Sequence, residues 1–594
     1  MKTPPRKQSS YIKRIAAVGQ QFDSNEYERL YQESINEYGE PFWSASALEL
    51  VWEHPYSQLQ ILTPERRAWF ADGRVNYHQS IFRAERAQME ALVWYTKDGE
   101  RESMSYAVLE SKVQRIASFL ESVGVKPGFC LCLATENRRV GALYALACLS
   151  RGVRFCFSYF KLPNEVLRHQ LRSLEVDTLI IEASIRPEQQ PVPLVDLLTL
   201  ERVLTVEADT SSVEVAKTVS VTALPELDAL PELSDSFASH AWSAEAPTLF
   251  GFTSGTTATP KAIPLGTAGH YVVGLTTHYL LFHTERRKVL FAMDFAWGVA
   301  SIPCFFAPLL AGDTVVIDER FFVPGAPHTF ATIGQEGIGA SYIPIALLEA
   351  DHSAAAGTYD FPKVVLGGME ISQAALDGCT ALFDNPDRTV FFGYGSSELG
   401  GLTFFQAAKG ALSLEAFTHL RPAPGVRYQV QSERRNEAGV LQIHAQLPSI
   451  CQTITGAEES FTAQWSDDGE WFTTDDIAID HGETVTLCGR TDQMIKVKGR
   501  FLDVQLYEKI VQDITGTAAR LVNTAAPGEA QHLVLFIEGT ADTTLLKRVQ
   551  EHIVDTFGTY ARPHDIHLLL EMPRTASQKI STAELRKHYA AARQ

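Results

Sequence analysis

Apolar runs too short to be helices recur along this chain, and stretches with helical spacing separate them. Residues 107–124, AVLESKVQRIASFLESVG, place apolar side chains at helical intervals, and Gly124 stops the pattern. FCLCLATEN follows, then an apolar helical stretch over 139–150, then VRFCF. The rhythm returns at 177–182 (DTLIIE), 289–317 and 363–395. A strand that is apolar at every position is buried on both faces. Covering both faces takes a parallel sheet with helices on each side, so the rhythm predicts βαβ units and an α/β fold.

Outside that rhythm the texture changes. Residues 1 to about 90 are an aromatic-rich lead-in with Phe42, Trp43, Trp52, Trp69 and Phe70. The stretch 186–247, rich in Pro, Ser and acidic residues, is expected to be irregular or inserted. From about 424 to 488 the runs VRYQVQS, GVLQIHAQ, EWFTTDD and ETVTLCG predict a β-rich subdomain. Past Gly489 a short unit of strands and helices includes VLFIEG and a helix over 543–555, which puts a domain boundary near 489–493. His564 and His567, three apart in a strand-like segment, fall on opposite faces and are read as structural rather than as a metal pair.

A length of 594 residues is several times that of one domain. The net charge of −19 argues against a nucleic-acid partner but leaves room for a small anionic ligand beside a local cation. The eight cysteines are scattered with no C-x-x-C pair, which reads as buried free thiols in a reducing compartment. MKTPPRKQSS lacks the apolar core of a signal peptide, and no apolar run reaches membrane-spanning length, so a cytoplasmic protein without a membrane partner is expected.

One polar segment stands out between apolar runs: LFGFTSGTTATPKAIPL, residues 249–265. Its glycines, hydroxyls and single lysine suit a loop whose N–H and O–H groups converge on an anion. It is not a Walker A loop, because Pro260 stands at the second glycine and Ala262 follows Lys261. Nor is it a serine-hydrolase elbow, because Phe252 replaces the first glycine of G-x-S-x-G. Further segments follow in order: FFGYGSSELGG (391–401), FTTDDIA (472–478) with GRTDQMIKVKGR (489–500), and PRTASQKIS (573–581). Together, in this order and spacing, they resemble the adenylate-forming superfamily of acyl-CoA synthetases, peptide-synthetase adenylation domains and luciferases. The resemblance spans nearly the whole chain. The lead-in segments FW (42–43) and WFADGRVNYH (69–78), with MDFAWGVASIPCFFAPLLAG (293–312), look most like acetyl- and propionyl-CoA synthetases.

The resemblance implies a large N-terminal adenylation domain (1–490) of two βαβ-type sheets plus a β-rich subdomain. It also implies a small mobile α+β domain (491–594) that turns about a hinge at Asp492. It implies ATP, Mg2+ and coenzyme A as cofactors, and activation of a carboxylic acid to an acyl-adenylate followed by transfer to the CoA thiol. A carboxylate attacking the α-phosphate is an anion meeting an anion, so cations and fixed donors must offset the repulsion. By resemblance Thr253, Ser254, Gly255, Thr256 and Thr257 cradle the β- and γ-phosphates, with Lys261 as a nearby cation. Glu398 binds magnesium, Ser397 touches the α-phosphate, Tyr394 lies against the adenine, and Gly368 belongs to the adenine wall Gly367–Glu370. Asp475 grips the ribose hydroxyls with Arg490 beside it, Lys579 is the catalytic lysine, and Gly499 lines the pantetheine tunnel.

The chain departs from the family pattern in several places. Ala258 replaces the glycine of T-T-G, Gln578 that of S-G-K, and Phe501 the arginine of G-x-R. These departures keep a carrier-protein thiol or an amine open as the alternative acceptor. In acetyl-CoA synthetases the turn before the magnesium glutamate reads W-W-Q-T-E-T-G-G, and its second tryptophan closes the pocket behind a two-carbon chain. Gly395 stands at that place. With Gly393 and Trp297 as neighbours, it implies a pocket for an acid larger than acetate.

Overall fold

The computed structural model describes residues 10–592 apart from 21, 137, 160–161, 186–190, 207, 231–236, 254–259, 298–300, 323–329, 350–358, 369–370, 384, 386, 433, 435, 492–493, 498–499, 525–531, 541 and 574–579. Its contacts separate into two compact units, residues 1–428 with 443–472, and residues 429–442 with 473–594. The boundary expected near 489–493 falls inside the second of these.

Two large sheets organise the first unit, and both are mostly parallel, as the fully apolar runs require. The seven-stranded sheet runs Ser220–Ala223, Arg202–Thr205, Thr178–Ile181, Cys130–Ala134, Arg154–Phe157, Leu249–Thr253, Lys261–Leu265. Every neighbouring pair is parallel except the last, a hairpin. The nine-stranded sheet runs Arg421–Pro422, Phe404–Lys409, Thr389–Tyr394, Lys363–Gly367, Ala340–Tyr342, Lys288–Phe291, Thr314–Asp318, Glu90–Tyr95, Arg101–Ser105. Its strands from Thr389–Tyr394 to Glu90–Tyr95 are parallel, and antiparallel strands flank them.

The helices follow from local signals. Ser105 accepts a hydrogen bond from Val108 N–H to cap the helix Tyr106–Ser122, which ends just before Gly124. Arg138–Arg151, apolar all round, is buried along almost its whole length. Cys130, Cys132 and Cys156 lie in the core on one side of the seven-stranded sheet, and all eight cysteines are free.

The aromatic lead-in folds onto the antiparallel edge of the nine-stranded sheet. Its helices span Ser10–Gln20, Ser24–Ile35 and Glu40–Ala47. Tyr27 meets Phe405 edge-on at 5.2 Å, its hydroxyl donates to the Pro422 carbonyl, and the fully buried Trp43 meets Trp69 at 6.4 Å.

The expectation for 186–247 is corrected in part. Arg202–Thr205 and Ser220–Ala223 extend the seven-stranded sheet in parallel, and Val192–Pro193 pairs with Val213–Glu214. At two to four residues each, these strands are too short to show a period among turn-forming neighbours.

The second unit begins with strands of the β-rich segment: Tyr428–Gln431, Ala438–His444, Trp471–Asp480 and Val485–Arg490 form one four-stranded sheet. Its C-terminal part pairs Leu533–Glu538 with Ala519–Asn523 antiparallel and with Asp565–Leu569 parallel, alongside the helices Val504–Thr515, Thr543–Phe557 and Thr582–Ala592. Here His564 Nδ1 accepts from Leu533 N–H at 3.0 Å and His567 packs edge-on against Tyr589, consistent with the structural reading of both.

A buried ionic cluster sits in the first unit at the starting ends of the parallel strands. His278 Nε2 and His283 Nδ1 each lie 2.9 Å from Asp313 Oδ2, and Arg287 Nε donates to Oδ1 at 2.7 Å. Among the described residues this is the one grouping whose ligand atoms lie close enough to hold a metal ion. The Arg287 guanidinium already neutralises the carboxylate, which makes it a hydrogen-bonded ion cluster. Lys363 lies beside it, donating to the carbonyls of His283 at 2.8 Å and Leu280 at 3.4 Å. Burial, reinforced by the charge of Lys409, brings the Lys363 amine down from 10.5 to about 7. Between those values the unfolded chain carries a proton that the folded chain does not, so stability rises with pH across that window. Denaturant midpoints measured at about pH 7 and about pH 9 should show this rise, at up to ~1.4 kcal/mol per pH unit. Lys363→Met should flatten it, and an unchanged slope in that variant would assign the effect to another group.

Candidate active site

The described ends of the anion-type segment are the two strands of the edge hairpin of the seven-stranded sheet. Leu249–Thr253 runs parallel to Arg154–Phe157, and the returning strand Lys261–Leu265 pairs Lys261 with Thr253. Ser254, Gly255, Thr256, Thr257 and Ala258 lie outside the described residues. Lys261 is half-buried, and among the described residues no carboxylate pairs with it. A half-buried lysine with no carboxylate partner can meet an anion.

The second contribution comes from the nine-stranded sheet. In an open parallel sheet ligands bind outside the carboxyl ends of the strands. Tyr342, Gly367 and Tyr394 are the final residues of three adjacent strands. Gly367 and Gly393 face each other in register, and a methyl added at Gly367 would stand 2.5 Å from the Gly393 carbonyl oxygen. Gly368, at φ +79°, leaves a place that a side chain would share with the Tyr342 hydroxyl at 2.9 Å and the Trp297 ring at 3.5 Å. Trp297 itself is 53% exposed, an indole face turned outward beside these glycines. Tyr342 was not singled out from the sequence. Its signal was positional, an aromatic residue closing a short strand of the parallel set.

Tyr394 closes its strand, and its carbonyl accepts from Thr403 N–H at 2.9 Å and Thr403 Oγ1 at 3.1 Å. The chain then makes a tight turn over 397–400 that carries Ser397 and Glu398. The Glu398 carbonyl accepts from Cys451 N–H at 2.9 Å, and the Leu399 carbonyl accepts from Ser449 Oγ at 2.6 Å. The backbone of Glu398 is thereby fixed. Among the described residues no hydrogen bond or ion pair occupies its half-buried carboxylate. An anchored, unpaired carboxylate suits a hard cation such as Mg2+, which takes oxygen ligands.

Beneath the turn, His270 is 2% exposed, and burial brings its imidazole down to about 3, so it is neutral. Its Nδ1 lies 2.7 Å from Thr267 Oγ1. Gly400, at φ +67°, passes directly above it, and a Cβ there would meet His270 Nε2 at 2.5 Å and the Ser449 carbonyl at 2.2 Å.

Asp475 and Arg490 meet within the second unit. They lie on antiparallel strands, Arg490 Nη2 donates to Asp475 Oδ2 at 3.2 Å, and Thr491 N–H donates to the Asp475 carbonyl at 2.6 Å. Both side chains are about half exposed, so the pair adds little stability but orients a carboxylate toward solvent. Asp492, Gly499 and Lys579 lie outside the described residues.

Gly395 gains a second reason to be glycine. A Cβ there would lie 2.1 Å from the Gly401 carbonyl oxygen and 3.0 Å from its carbon, so the turn's own backbone fills that direction. The position holds no indole, and none could be grafted on without moving the turn. Gly395→Ala should cost about 1–3 kcal/mol from forced overpacking and lower activity together with melting temperature. A melt indistinguishable from the parent would show that the turn yields freely.

Two family models match the chain: residues 82–444 match the AMP-binding enzyme family, and residues 27–80 match the acetyl-coenzyme A synthetase N-terminus. An acetyl-coenzyme A synthetase of Streptomyces avermitilis is 24% identical, over 92% of this chain and 88% of that protein. In fold, the acetoacetyl-CoA synthetase from Streptomyces lividans superposes with a TM-score of 0.72 at 16% identity, covering 98% of this chain and 93% of that one. The O-succinylbenzoate coenzyme A synthetase of Bacillus subtilis, solved in complex with ATP and magnesium ion, gives 0.63 at 18% identity, over 86% and 99%. The chain belongs to the AMP-binding enzyme family, as an acyl-CoA synthetase-like AMP-forming ligase of the adenylate-forming superfamily.

Proposed function

We propose that this protein activates a carboxylic acid larger than acetate and passes the acyl group to the thiol of CoA. The observation that carries the size reading is the half-exposed Trp297 ring, which with the Tyr342 hydroxyl borders the side-chain-free Gly368 at the strand ends. Exposed aromatic surface gathered at strand ends is surface that a ligand's apolar body can cover. Each methylene so buried contributes about 0.8 kcal/mol, close to fourfold in affinity.

In the first step a carboxylate oxygen bonds to the α-phosphorus of ATP, the bond to the β-phosphate oxygen breaks, and pyrophosphate leaves. The hairpin tip, with Thr253, Ser254, Gly255, Thr256, Thr257 and Lys261, holds the β- and γ-phosphates. Glu398 would hold Mg2+, which would offset phosphate charge. Ser397 orients the α-phosphate, Tyr394 and Gly368 flank the adenine, and Asp475 with Arg490 takes the ribose. Lys579 bridges carboxylate and phosphate while both are anionic. In the second step the thiol sulfur attacks the acyl carbon, AMP departs with the bridging oxygen, and the thiol proton passes to solvent. Residues 491–594 turn about Asp492 between the steps, and Gly499 leaves a path for the pantetheine arm. Free, mostly buried thiols support a reducing, cytoplasmic setting. No described helix is long and apolar enough to cross a membrane.

Acid-dependent ATP–pyrophosphate exchange across straight, branched and aromatic acids tests the size reading. Specificity should rise by about fourfold per added carbon over the first few. Acetate outperforming every longer acid would end it. Running the second step with CoA, a pantetheinylated carrier protein and simple amines identifies the acceptor, and CoA is expected to be used best. Lys579→Ala should lower adenylate formation by about 100-fold or more while chemically supplied acyl-adenylate is still converted with thiol. An equal fall in both half-reactions would remove the lysine from its assigned step.

A further inference from the structure

Residues 448–455 cross behind the candidate site and touch both of its first-unit parts. On one side, Cys451 N–H donates to the Glu398 carbonyl at 2.9 Å, Cys451 Sγ lies 3.6 Å from the Ser397 carbonyl, and Ser449 Oγ donates to the Leu399 carbonyl at 2.6 Å. Consecutive carbonyls of the turn that carries Glu398 are therefore all engaged by this one segment. On the other side, the same Cys451 sulfur donates to the Pro264 carbonyl at 3.3 Å, and Thr455 N–H donates to the Ala262 carbonyl at 2.9 Å. Pro264 and Ala262 belong to the hairpin strand that starts at Lys261. Between these points the segment is pressed on the helix Ala268–Thr277: a Cβ on Gly269 would lie 2.0 Å from the Pro448 carbonyl oxygen.

We infer that residues 448–455 are a strap that holds the hairpin strand Lys261–Leu265 and the Glu398 turn at a fixed separation, with Ser449 and Cys451 as its positioning residues. This rests on the reading that both parts bind one Mg2+–ATP. The two parts belong to different sheets, the hairpin to the seven-stranded sheet and the Glu398 turn to the strand ends of the nine-stranded one. Neither sheet's hydrogen bonds set the distance between them. A triphosphate gripped by the hairpin while its metal is held by Glu398 needs that distance held closely, because small misplacements of reacting groups are costly in rate. The strap supplies the hold through Cys451, whose thiol is shared between carbonyls of the two parts. Cys451 is 2% exposed, so these contacts are shielded from competing water.

The strap acts on the adenylation step alone, which separates positioning from folding. Cys451→Val loses the donor for a slightly larger apolar group, Cys451→Ser restores a donor, and Ser449→Ala frees the Leu399 carbonyl. Each loss variant should raise KM for Mg2+–ATP by about three- to tenfold in acid-dependent pyrophosphate exchange, the scale of one hydrogen bond. Thioester formation from supplied acyl-adenylate and the melting temperature should stay near the parent values, and Cys451→Ser should recover most of the loss. The inference is overturned if KM for Mg2+–ATP is unchanged in both loss variants. It is equally overturned if Cys451→Ser is as impaired as Cys451→Val, or if both half-reactions fall in proportion to a lowered melt. A parent protein that exchanges no pyrophosphate with any acid and binds no Mg2+–ATP would instead fail the functional reading on which the strap depends.

Discussion

Burial of both faces of its parallel strands is the constraint on which the rest of this protein depends. Strands such as Cys130–Ala134 and Lys363–Gly367 have every side chain buried, so their ends are the places where polar backbone can meet a ligand. Parallel pairing puts all carboxyl ends on the same edge of a sheet. At that edge of the nine-stranded sheet the backbones of Gly367 and Gly393 approach closely enough that a side chain on Gly367 would collide with its neighbour. Glycine is needed there for close approach.

The charged groups of the first unit divide by what surrounds them. At the starting ends of the strands, the buried Asp313 is paired with His278, His283 and the part-exposed Arg287, and Lys363 is held by helix-end carbonyls. At the opposite ends, Glu398 and Lys261 have firmly held backbones and, among the described residues, side chains with no charged partner. Buried charge demands local neutralisation, and the partners of Asp313 supply it within the fold. Half-buried charge on an anchored backbone is available to ligands.

Much of the fold was legible along the chain because its signals are local. The helix expected over 107–124 forms over Tyr106–Ser122, the apolar stretch 139–150 is helical within Arg138–Arg151, and FCLCL, VRFCF and DTLII all supply strands. The four runs of the β-rich segment make one sheet. The short strands within 192–223 escaped because two to four residues carry no period, and their place was decided by an open sheet edge. Gly395 was legible as a missing side chain, but only the carbonyl of Gly401 shows that the turn itself forbids one. Asp475 and Arg490, fifteen residues apart, were paired by resemblance, and an antiparallel strand pair brings them to 3.2 Å.

The sequence by itself determined the α/β class, the family and the identity of the chemistry-bearing segments, because apolar period, glycine content and hydroxyl-rich loops are written in neighbouring residues. Only the tertiary structure decided which of those segments support one another. The bracing of Glu398 by Ser449 and Cys451, and of Cys451 by Pro264, joins residues some 50 to 190 positions apart. No local pattern announces such contacts, because their acceptors are backbone carbonyls, which every residue carries alike.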